Sequence, residues 1–190
     1  MGENASNSLP AFGFLTVLND SQHGYFGGYL LLSELGRPLE FHCSTPVLPN
    51  DAQKILYGAS LQPYVLGELI GQTLVAEAKL PVQLVLTDQK DMLGISLLRT
   101  EPTVCLSEIE DCSIDCMESL DAPSFSLGKY RLFGTSTCDW QPDEINTAIT
   151  PLTHYIDLSE PFQRIREAIR EAQRITEHPG DDNHESSAAA

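Results

Sequence analysis

The chain is short of positive charge. Its 11 Lys and Arg stand against 27 Asp and Glu, a formal net charge of −16 at pH 7. Such a balance repels phosphate backbones and anionic membrane surfaces, so it disfavours nucleic acid as a partner, though a locally neutral or metal-bearing cleft stays open. Apolar runs long enough to span a bilayer are missing, so no membrane insertion is expected. The opening MGENASNSLP has no cationic start leading into an apolar core, so export through a standard signal is not expected either. Cysteine is sparse and odd in number, five in all. Without an export signal that reads as reduced thiols in a cytoplasmic protein. There is no Gly-rich phosphate loop, no G-x-S-x-G and no H-E-x-x-H.

What is present is enough apolar material for a core. At 190 residues and 42% hydrophobic, the sequence predicts one α/β domain with loose ends (α+β is the variant reading). Residues 1–10 read as a disordered lead-in and 177–190 as a disordered acidic tail. Residues 11–176 form the domain. Within it, about 101–121 reads as an acidic, cysteine-containing insertion, with Glu101, Glu108, Glu110, Asp111, Asp115, Glu118 and Asp121 and no Lys or Arg.

Three antiparallel strands are predicted first. Ala11–Leu18 is apolar and stops at the turn-forming Asn19-Asp20-Ser21. Tyr25–Leu32 carries Gly27-Gly28, which permits a bulge or a close backbone approach. Arg37–Ser44 alternates, with Leu39, Phe41 and Cys43 on one face and Glu40 and His42 on the other. Asn50 or Asp51 can cap a short helix ending at Gly58, and Ser60 a longer one through about Ala78. Gly67 and Gly71 on the longer helix would let it approach a sheet closely. Pro81–Thr87 reads as a fourth strand ending at Asp88, Met92–Leu98 as a helix or strand, and Phe125–Phe133 as one strand. A last helix begins at Ser159, with an apolar stripe of Phe162, Ile165, Ile169 and Ala172 and with Arg164, Arg166, Arg170 and Arg174 on its other faces. Those arginines offer a docking face for an acidic protein partner, or simply pair within the helix.

The strand order β-β-β-α-β commonly sets the first and fourth strands side by side and parallel. Their carboxyl ends would then bring Asp20 and Asp88 to one edge of the sheet, where two carboxylates can hold Mg²⁺ or Mn²⁺. A metal pair there could activate water for phosphodiester cleavage. On these residues, Asp20-Ser21 leading to Gly24, Gly27-Gly28-Tyr29 and Leu86-Thr87-Asp88-Gln89, the chain resembles the ribonuclease H-like superfamily over about residues 11–95. The resemblance implies a mixed sheet opening with three antiparallel strands, acidic metal ligands at the two strand positions, and a helix-borne carboxylate, for which Glu68 is the best available. A late fourth acid would be Asp139 or Asp157.

Two other groupings carry chemistry. Glu40 and His42 share a strand face within reach of one ligand or of each other, which suits acid–base work, a metal or a solvated surface. Cys105, Cys112, Cys116 and Cys138 could surround Zn²⁺, but their gaps are not the paired two-residue spacings of zinc modules, and acidic neighbours oppose thiolate formation. Two functions follow as expectations. One is a non-catalytic ribonuclease H-like interaction or scaffold protein, favoured by the scatter of Arg37, Lys54, Lys79, Lys90 and Arg99. The other is a metal-dependent phosphodiester hydrolase using Asp20 and Asp88.

Overall fold

The computed structural model describes residues 11–97, 101–110, 122–137 and 140–177. The first three strands form as their patterns predict. β1 (Ala11–Asp20) pairs antiparallel with β2 (Gly24–Ser33) along its whole length, and β2 pairs antiparallel with β3 (Pro38–Cys43). β4 (Val82–Thr87) then lies beside β1 and parallel to it, in the neighbour relation expected from the strand order. The sheet has seven strands in the order β3-β2-β1-β4-β5-β7-β6. This mixed sheet, with helices on it, is the predicted α/β class.

Beyond β4 the structure departs from expectation. Thr103–Glu108, placed by its acidic surroundings in an insertion, is an interior strand (β5) between β4 and β7. Its first four residues are buried, so apolar Val104 and Leu106 outweigh the charges that follow. The single strand expected over Phe125–Phe133 is a hairpin instead, β6 (Ser124–Leu127) and β7 (Tyr130–Phe133). Gly128 supplies its turn with φ 60°, a left-handed conformation that glycine adopts freely.

Both faces of the sheet are covered, which is why β1 and β4 read as nearly continuous apolar runs. Side chains alternate along β1. Phe12 and Phe14 face α4 (Pro142–Thr153) and α5 (Glu160–Glu177), through Ile149, Leu152, Phe162, Ile165 and Ile169. Leu15 and Val17 face the opposite layer, through Val65, Leu66, Ile70 and Leu74. That layer starts at α1 (Asp51–Tyr57), where Asn50 and Gln53 form a reciprocal capping box. It winds on through α2 (Leu61–Pro63), a π-helical stretch over Tyr64–Gly71, and α3 (Gln72–Glu77). Ser60 caps nothing: its hydroxyl donates back to the Tyr57 carbonyl, because the chain is already helical there. Of the expected stripe on α5, Ala172 alone is exposed.

The glycines of close approach also lie elsewhere. Gly67 and Gly71 pack against the 3₁₀ segment Lys90–Leu97, not the sheet. The sheet is approached at Gly27 and Gly28, one on each face of β2. A Cβ at Gly27 would sit 2.1 Å from Ile70 Cγ2, and one at Gly28 would sit 2.2 Å from Ile165 Cγ2.

Candidate functional site

The register of β1 and β4 decides where the expected carboxylate pair falls. Leu15 is opposite Thr87, so Asp88 stands next to Thr16. Asp20 lies four residues further along, about 13 Å at the rise of a strand. It belongs to the tip of the β1–β2 hairpin, where its Oδ1 accepts from the backbone of His23 (2.8 Å) and Gln22 (2.9 Å) and from His23 Nδ1 (3.0 Å). Those bonds, the backbone ones first, hold its carboxyl below the usual aspartate range. The structure thus puts Asp20 and Asp88 on the same end of the sheet but does not bring them to one ion. The reason is length: β1 runs on past the last residue of β4.

What does meet Asp88 is Thr16 and Arg166. Thr16 Oγ1 donates to Asp88 Oδ1 at 2.7 Å, Arg166 Nη2 donates to Thr16 Oγ1 at 2.9 Å, and the same Nη2 pairs with Asp88 Oδ2. Thr16 is fully buried, while the Asp88 and Arg166 side chains are 20% and 26% exposed. Next to them, Gln89 turns its side-chain amide onto β1, accepting from Val17 N (2.9 Å) and donating to Val17 O (3.0 Å). The cluster therefore rests on the carboxyl end of two parallel strands and on one α5 side chain. Thr16 carried a sequence signal, as a hydroxyl in an otherwise apolar strand, whereas Arg166 carried none beyond lying next to the stripe.

This donor set does not fit a divalent ion. It offers one carboxylate and one hydroxyl, and a guanidinium already neutralises the carboxylate. Glu68 does not complete it: it is exposed, on the helical layer that covers the other face of the sheet. Asp157 is committed elsewhere. Burial would raise its pKa, but bonds from Tyr130 Oη, Ser159 and Lys129 overcome that and hold it well below the usual range. Among the described residues, no three His, Cys, Asp or Glu side chains are grouped to hold a metal. Cys112, Cys116, Cys138 and Asp139 lie outside the described residues; Cys105 is buried in the sheet and forms no disulfide among the described residues.

Glu40 and His42 do meet, with Oε2 and Nε2 2.9 Å apart. Glu40 also accepts from the backbone N–H groups of Lys79 (3.0 Å) and Leu80 (3.1 Å). It thereby ties edge strand β3 to the link between α3 and β4. The imidazole bond and then the Lys79 amide lower its pKa against the opposing effect of burial. A folded-state value below the unfolded one means this carboxylate stabilises the fold above about pH 4.3 and stops doing so as pH falls through the depressed value. Glu40→Gln is accordingly expected to cost about 1 kcal/mol at neutral pH. In urea titrations at a series of pH values, the gap to the parent protein should close as pH falls through the depressed value; a gap independent of pH would show that the charge is not what holds the clasp.

No protein-family model matches the chain, and no curated protein does. Solved structures do. The crystal structure of human ENDOV matches with a TM-score of 0.53 over 90% of this chain and 87% of its own, at 15% identity. A Ciona intestinalis Endonuclease V variant, in complex with a 23mer DNA containing an inosine followed by a ribo-adenosine, matches with a TM-score of 0.52 over 88% and 86%, at 10% identity. This chain shares their fold. The mixed-sheet architecture expected from the resemblance is thus shared with these structures over 90% and 88% of the chain, without pointing to a particular family. Among the described residues no helix is long and apolar enough to cross a membrane.

Proposed function

We propose that the partner of this chain is nucleic acid, met at the Thr16–Asp88–Arg166 cluster. The observation that supports it is the fold shared over 90% of the chain with a nuclease, together with a carboxylate and a cation at the carboxyl end of β4. In that cluster Arg166 is the group that meets a phosphate oxygen. Only its Nη2 is engaged by Thr16 and Asp88, so its remaining N–H groups are available for a second anion. Asp88 and Thr16 fix the guanidinium plane. The surrounding −16 charge opposes any polyanion, so binding relies on local contacts and shows a shallow salt dependence, with a slope of about −1 for one phosphate contact.

Cleavage is the stronger form of this reading and is what the structural neighbours support. A second form, binding without metal-dependent cleavage, is favoured by the Arg166–Asp88 pair, which occupies the carboxylate that an ion would need. One experiment separates them. Short single- and double-stranded DNA and RNA oligonucleotides are mixed with the protein at low salt, with and without Mg²⁺ or Mn²⁺, and both retention and cleavage are read. Arg166→Ala is expected to weaken retention about tenfold. Cleavage that needs the metal and disappears in Asp88→Asn selects the nuclease; retention of intact strands selects the binder. No retention of any of the four by the parent protein would overturn the proposal.

A further inference from the structure

A cavity of about 330 Å³ opens between the β1–β2 hairpin tip, the end of β3 and the last turns of α5. None of Thr16, Asp88 and Arg166 lines it, so what it binds stands apart from the nucleic-acid reading. Its walls are largely apolar, with Phe26, Pro46 and Ile169 among the lining residues. The volume lies at the small end of ligand sites, sufficient for one ring and a substituent.

The polar groups on its rim are few and specific. Gln173 lines the cavity, yet its Nε2 is buried without an acceptor among the described residues. A buried donor in that state is a standing cost, and the soft last torsion of the side chain lets the amide reorient its N–H groups to meet a ligand acceptor. Ser44 Oγ accepts from Gly27 N, which leaves its own O–H to donate. His23 holds Nδ1 against the Asp20 carboxylate, an acceptor; in the neutral ring Nε2 is then the acceptor. Among the described residues no Asp, Glu, Lys or Arg lines the cavity.

We propose that this cavity binds a small neutral aromatic amide. The ring lies between Phe26, Pro46 and Ile169, the carbonyl accepts from Gln173 and Ser44, and the amide N–H donates to His23. One unpaired amide donor, one hydroxyl donor and one acceptor match that group, and the described lining offers no charged side chain as counter-ion for an acid or an amine.

Cys43, exposed at the end of β3 and lining the same cavity, reports occupancy. The full chain is treated with an aromatic disulfide, and labelling at Cys43 is followed by mapping its peptide by mass, with benzamide, with toluene or with neither. Benzamide is expected to slow Cys43 labelling. Gln173→Leu should raise the benzamide concentration needed about tenfold while leaving any protection by toluene unchanged. Ala172→Trp, which places an indole in the cavity from the partly exposed side of α5, should remove protection altogether. Thermal melts check that both variants are folded. Labelling at the same rate with and without benzamide would overturn the assignment, and so would protection that either variant leaves intact.

Discussion

Gly28→Ala is expected to cost the fold about 2–3 kcal/mol in urea unfolding and to disable the Arg166 cluster as well. The added methyl would lie 2.2 Å from Ile165 Cγ2 and 3.1 Å from Ile169 Cδ1, on α5. Ile165 and Ile169 are buried among the helix–sheet contacts, so neither side chain can swing clear and the helix itself has to move. Arg166 follows Ile165 directly, and its hydrogen bonds to Thr16 and Asp88 tolerate little displacement. Gly27→Ala provides the control. Its methyl would strike Ile70 and Leu74 in the layer on the other face, at 2.1 Å and 2.8 Å. Comparable destabilisation is expected there, but oligonucleotide retention at moderate temperature should persist. Equal loss of retention in both variants would mean that global loosening, rather than the seating of α5, governs the site.

The second large effect concerns the charge pair itself. Arg166→Leu leaves the Asp88 carboxylate, 20% exposed, with a hydroxyl as its remaining side-chain partner. The expected cost is about 2 kcal/mol, below the range for fully buried pairs because water reaches both groups. Asp88→Asn alone should cost less. The double variant should recover part of the sum, with a coupling of about 1 kcal/mol or more in a double-mutant cycle. Simple additivity would show that the two groups do not depend on one another and that Asp88 is free for another cation.

The first half of the fold was open to sequence reading because each strand there is a short apolar run closed by turn residues. Ala11–Leu18, Tyr25–Leu32 and Pro81–Thr87 are such runs, and a β-β-β-α-β order leaves few ways to arrange them. The second half hid itself for local reasons. Thr103–Glu108 has two apolar residues and a cysteine set against acidic neighbours, and its central position in the sheet depends on partners at Val85–Thr87 and Tyr130–Phe133 that no local pattern marks. α4 is rich in threonine and contains Pro151, both poor helix formers, so its stripe of Ile145, Ile149 and Leu152 did not announce itself. The site divided in the same way. Asp88 follows β4 and Asp20 lies at the same end of the sheet, but the spacing between them was not legible, because a turn fixes where a strand stops and not how far its neighbour extends. Arg166 is 78 residues from Asp88, and nothing in its own helix distinguishes it from Arg170 or Arg174.

Gln89 leaves one more consequence. By copying both hydrogen bonds of a peptide group onto Val17, it lets the β4 chain turn out of the sheet a residue early while the ladder beside β1 continues for one further rung. Beyond the Thr16–Asp88 bond, that primary amide is the outermost link between β1 and the β4 chain among the described residues. Exchanging that NH₂ for an oxygen, as hydrolysis of the side chain would, sets a carboxylate against the Val17 carbonyl. One exchanged atom would then remove that last rung, leaving the hairpin tip held on its β4 side no further out than Thr16.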